Sequence, residues 1–171
     1  MKILNLPIAL LVIVIALGCK KDSTATNSYW IKFKKNGIEE KLTSYVSYCY
    51  NRPKAGDTSL TELILGGELK ERNTAFYISI LKNAKFTVGA YQTGDAGTTF
   101  IVDYMTNLGQ LDELDYSLDN PPGYPTGYFR VNISSINGKE MRGSFTGNYL
   151  YEFFKKDTIN ITDGEFFIKT H

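Results

Sequence analysis

The 171-residue chain predicts an all-β fold, a single antiparallel β-sandwich or calycin-like barrel of about ten strands. Three observations carry this. Apolar and polar residues alternate with period two over most of the chain, no stretch of ten residues shows a helical period, and turn-forming residues recur at meander spacing. The 12 Tyr, 10 Phe and single Trp belong to the residue types that suit a pleated, half-buried surface.

Tyr29–Lys34 alternates aromatic or aliphatic residues with Lys, and Asn36-Gly37 is a strong hairpin turn into Ile38–Leu42. Tyr45–Tyr50 is a third run, ended by Asn51-Arg52-Pro53 and the Gly56-Asp57 turn. Leu60–Leu69 follows, where Gly66-Gly67 suggests a bulge or a close backbone approach. Ala75–Leu81 is the fifth strand, Phe86–Tyr91 leads into a Gly-rich stretch, and Thr98–Met105 is a further strand. Residues 107–125, rich in Pro, Gly and acidic residues, read as a long loop, with at most a helical turn or two in Gln110–Leu118. The last third reads as strands Tyr128–Ile136, Met141–Phe154, Thr158–Thr162 and Glu165–Lys169, with a turn at Asn137-Gly138. The lysines at 32, 34, 35, 155 and 156 are placed to protect sheet edges.

The N-terminus has the three parts of a secretory signal: Lys2, the apolar run Leu6–Leu17, and small Gly18 before Cys19. The run of about a dozen residues is short for a bilayer span, which needs roughly 20. Ala16-Leu17-Gly18-Cys19 resembles the lipobox of bacterial lipoproteins, with the usual Leu and small residue in reverse order. The resemblance implies cleavage before Cys19 and acylation of its thiol; two or three acyl chains hold a protein durably at a membrane. The expected organisation is a signal peptide over 1–18, a flexible tether over 19–28 and one β domain over 29–171. Loss of Lys2 leaves 18 basic against 18 acidic residues, a balance that gives no steering toward nucleic acid. With Cys19 acylated, Cys49 has no disulfide partner, and its aromatic neighbours suggest a buried, inert thiol.

Phe86-Thr87-Val88-Gly89-Ala90-Tyr91, then Met141-Arg142-Gly143-Ser144-Phe145, then Ile161-Thr162-Asp163-Gly164-Glu165-Phe166 form an ordered set. The set resembles the F-x-x-G-x-Y, G-x-F and C-terminal I-T-x-G-x-F motifs of small Bacteroidota lipoproteins of unknown function. That resemblance covers roughly residues 85–168 and implies a sandwich or calycin-like fold, an outer-membrane anchor on either face, and no catalytic residues. Physically, Gly143 and Gly164 read as turn or bulge positions where a Cβ would clash, and Phe145 and Phe166 as core anchors.

Catalytic signatures are lacking. The single His is the terminal His171, so Ser-His and Cys-His arrangements have no fixed base, and zinc lacks its usual ligands. Gly94-Asp95-Ala96-Gly97 lacks the Lys-Ser/Thr of a phosphate loop, and no cofactor is expected. Asp112, Glu113, Asp115, Asp119 and Asn120 supply oxygens of the kind Ca²⁺ uses, without EF-hand spacing. Tyr116, Tyr124 and Tyr128 flank the long loop as candidate ligand-contact aromatics. These observations point to a lipid-anchored envelope protein whose non-enzymatic domain binds a glycan, a peptide or an envelope protein. The alternatives are a barrel carrying a small apolar ligand and a carboxylate-based glycoside hydrolase.

Overall fold

The computed structural model describes residues 29–42, 52–54, 57–69, 73–109, 114–118, 127–152 and 157–169. Among them every regular element is a strand: β1 (Trp30–Lys35), β2 (Ile38–Leu42), β3 (Arg52–Lys54), β4 (Asp57–Leu69), β5 (Thr74–Lys82), β6 (Gly89–Gln92), β7 (Thr98–Thr106), β8 (Leu114–Ser117), β9 (Tyr128–Asn137), β10 (Glu140–Glu152) and β11 (Asp157–Lys169). The signal, the tether, Cys19, the run 45–50 with Cys49, Lys155, Lys156 and His171 lie outside the described residues.

All strand pairs are antiparallel, in the order β2-β1-β11-β10-β8-β7-β5-β4-β3, with β9 also on β10 and β6 on β9. Strand β10 is the junction. One of its edges pairs with β11 from Glu140 to Glu152; the other pairs with β9 as far as Asn148, then with β8 at Tyr151 and Glu152. The sheet thus folds over on itself without closing into a barrel. One layer is β2-β1-β11-β10-β9-β6, and the other is β8-β7-β5-β4-β3.

Alternation decides what fills the space between the layers. Ile31 and Phe33, Phe76, Ile78 and Ile80, and Phe129, Val131 and Ile133 are all buried at every second position. Rings meet across the gap: Phe76 lies 4.6 Å from Phe33 and 5.5 Å from Phe145. Tyr104 stands edge-on to Phe33 at 6.3 Å. Its hydroxyl donates to both oxygens of Glu40, at 3.0 and 3.1 Å, and accepts from the Lys35 ammonium at 3.0 Å. Glu40 is only 7% exposed, so this triad satisfies a buried charge and fixes the β1–β2 hairpin to the opposite layer.

The two G-x-F segments pair with each other. Gly143 lies opposite Phe166, Ser144 opposite Glu165 and Phe145 opposite Gly164. A Cβ on either glycine would overlap the facing phenyl ring, so each Phe covers the gap left by its partner. Phe145 and Phe166 are core anchors, as the sequence predicts. Gly143 adjoins a register shift against β9, and Gly164 follows a bulge at Asp163, a non-Gly residue with φ 51°.

Several expectations are corrected. The long loop over 107–125 contains strand β8 rather than a helical turn, because Leu114–Ser117 finds partners in β7 and β10. Arg52–Lys54 forms a short strand of its own, paired with β4, where the end of a run was expected. Thr158–Thr162 and Glu165–Lys169 are one strand, since the Asp163 bulge bends the chain without ending it. At Gly66 the β4–β5 ladder runs on unbroken, so there is no bulge, while the close backbone approach is present: an added Cβ would meet the Phe76 carbonyl at 2.7 Å as well as the Tyr77 ring. Lys32 and Lys34 do not guard an edge, because β1 is paired on both sides.

Candidate functional site

Residues that point away from the core on β9, β10 and β11 form a polar face, and the lengths of their side chains shape it. Ser144, Thr146 and Thr162 carry short ones, so the floor along β10 and β11 is low. Arg130 and Asn132 on β9 make one wall; Asp163 and Glu165, with Lys32 and Lys34 behind them, make the other. The result is an open groove of about 810 Å³. It continues past Thr146 and Thr162 to Tyr128 and Asn148 at one end. Past Ser144 and Glu165 it reaches Trp30 and Arg142 at the other. An aromatic plane therefore stands at each end of a floor of hydroxyl and amide groups.

The second wall is fixed by ion pairs. Lys32 reaches Glu165 at 2.9 Å and Lys34 reaches Asp163 at 2.8 Å. The hydrogen bond and charge of Asp163 raise the Lys34 ammonium above its usual lysine value. Arg142 lies over Phe167, with its guanidinium carbon 3.8 Å from the ring centroid. Some polar groups are already committed: Tyr128 donates to Gln92 at 3.3 Å, Ser134 to the Arg142 carbonyl at 3.1 Å and Thr146 to the Ile161 carbonyl at 3.2 Å. At the Tyr128 end, Asn148 Oδ1 is the buried side-chain polar atom without a hydrogen-bond partner among the described residues. Leaving such an acceptor unpaired costs about 1–3 kcal/mol.

Of the aromatics singled out from sequence, Tyr128 is 36% exposed at one end of the groove. Tyr116 is 8% exposed and packs on Tyr104 at 6.3 Å, so it serves the core rather than a ligand surface. Tyr124 lies outside the described residues, as do Asp112, Glu113, Asp119 and Asn120; Asp115 is placed on β8. Among the described residues, no three His, Cys, Asp or Glu side chains are grouped to hold a metal ion. Sequence reading passed over Arg130, Asn132, Ser144, Thr146 and Thr162. Their signal was the polar half of the alternation whose apolar half marks the core.

Comparison with known protein families, curated proteins and solved structures finds no match to this chain.

Proposed function

We propose that this protein is a lipid-anchored envelope protein whose β domain is a non-enzymatic binding module, and that its groove holds a glycan. The anchor rests on the signal and lipobox pattern ending at Cys19. The glycan rests on one observation: a continuous groove with Tyr128 and Trp30 at its ends and mixed donors and acceptors between them. Sugars present apolar C–H faces that stack on aromatic planes, and hydroxyls that both donate and accept. Asn132, Ser144 and Thr162 offer both functions, Glu165 and Asp163 accept, and Arg130 donates.

A peptide is favoured less, because added strands need an open edge and the groove floor consists of strands paired on both sides. A small apolar ligand has less support too, since Phe33, Phe76, Phe129, Phe145 and Phe166 fill the space between layers. The groove carboxylates Asp163 and Glu165 share one strand and are each held by a lysine. That is a pattern of ion pairs rather than two acids on opposite walls of a cleft.

Trp30 is the only tryptophan, so its fluorescence reads one end of the groove directly. Titration with a panel of neutral and acidic polysaccharides is expected to give a saturable change that Asn132→Ala weakens. A panel in which no polysaccharide alters Trp30 emission or slows the protein in affinity electrophoresis would remove the glycan. The anchor is read separately, by intact mass of the protein from its native membrane: a chain starting at Cys19 with acyl mass is expected.

A further inference from the structure

We infer that the groove is selective for an anionic polysaccharide, one whose acid groups meet Arg130 and Arg142; this rests on the glycan reading of the same groove. The first observation is which charges are already matched. Asp163 and Glu165 are taken by Lys34 and Lys32, and Glu140 lies opposite Lys169 in the β10–β11 ladder. Among the described residues, neither Arg130 nor Arg142 has a carboxylate partner. Arg142 sits over Phe167, its guanidinium carbon 3.8 Å from the ring centroid, and a guanidinium so placed still has N–H donors to offer a carboxylate or sulfate ester.

The second observation is the division of charge between the two outer faces. On the groove face, outward positions carry Lys32, Lys34, Lys41, Arg130, Arg142 and Lys169 against Glu39, Glu140, Asp163 and Glu165. On the opposite face, the outward positions of β4, β5 and β7 carry Glu62, Glu68 and Asp103, with Arg52 of β3 opposite Glu62 in the ladder. Among these positions, cations outnumber acids on the groove face and acids outnumber cations on the other. Size follows from register. Arg130 pairs with Thr146, four positions along β10 from Arg142, which puts the two arginine backbone positions about 13 Å apart along the strand. One sugar cannot touch both, whereas a polymer with repeating acid groups can.

The test titrates the full chain with polygalacturonate and with the same polymer after methyl esterification, and with dextran sulfate against dextran, following Trp30. The acidic form is expected to bind at least about tenfold tighter than its neutral counterpart, and to weaken as salt rises. R130Q and R142Q are each expected to lose about tenfold and to flatten the salt dependence, while E62Q on the far face changes neither. R142K keeps the charge without the guanidinium fork and is expected to fall between; matching melting curves show that the variants remain folded. Binding of dextran sulfate without polygalacturonate would identify sulfate esters as the anion. Equal affinity for charged and neutral forms, or an unchanged R130Q, R142Q pair, would overturn the anionic selectivity and leave a glycan groove standing. Absence of binding to all four polymers, with neutral glycans also silent, would overturn the glycan reading itself.

Discussion

A methyl group at Gly147 would overlap the Phe129 ring, and at Gly164 the Phe145 ring, so these glycines set how closely strands and rings pack. Gly147→Ala is expected to lower stability by about 1–3 kcal/mol through overpacking, measured by urea unfolding. Adding Phe129→Leu should recover part of that loss, which a purely backbone effect would not allow. Tyr104→Phe removes both hydrogen bonds to the buried Glu40 carboxylate and is expected to cost about 1–3 kcal/mol. At this scale the sequence was readable wherever a residue's neighbours alternate cleanly: Phe145 and Phe166 were marked as core. Tyr116 was misplaced because its strand is short and lies among turn formers. Its burial comes from pairing with β7 and β10, not from local pattern.

Strands and turns show the same division. The Asn36-Gly37 hairpin was legible because both positions need positive φ, observed at 48° and 84°. Its second function was not: Asn36 accepts from the Asn160 N–H at 2.8 Å and donates its own N–H to the Asn160 carbonyl at 2.9 Å. Asn36→Ala is therefore expected to cost about 1–2 kcal/mol, through lost tolerance of this conformation and a lost hydrogen bond. The β4–β5 ladder carries a pH signature. Burial first, then the charge and hydrogen bond of Glu68, push the Tyr77 phenol up to about 12. A raised pKa means that the folded state holds its proton longer. Stability is then intact below pH 10 and declines as pH rises toward about 12. Melting temperature over pH 9–12 is expected to fall less steeply in Tyr77→Phe than in the parent. At Asp163-Gly164 the sequence admits a turn between two strands or a bulge within one, since Asp-Gly marks both, and the pairing partners on β1 and β10 make it a bulge.

For the molecule as a whole, alternation told which residues face out but not which outward face is hollow. Short side chains on β10 and β11 make a groove only because the chain folds β9 and β1 up beside them. Strand order is a tertiary fact, absent from any local window. The same order makes β11 indispensable: it carries Ile159, Ile161, Phe166 and Ile168 into the core and joins β1 to β10. A chain truncated after Glu152 is expected to show no cooperative transition in thermal circular dichroism.

The pairing of β1 with β11, Trp30 opposite Phe167, also has a meaning in time. The first strand of the domain can be flanked on its inner side only by the last, so the chain cannot complete itself piecemeal as it is made. Contacts that span nearly the whole sequence slow folding, into the range of milliseconds to seconds. Until the final strand arrives, the polypeptide stays loose enough to be threaded, as the export proposed above would require.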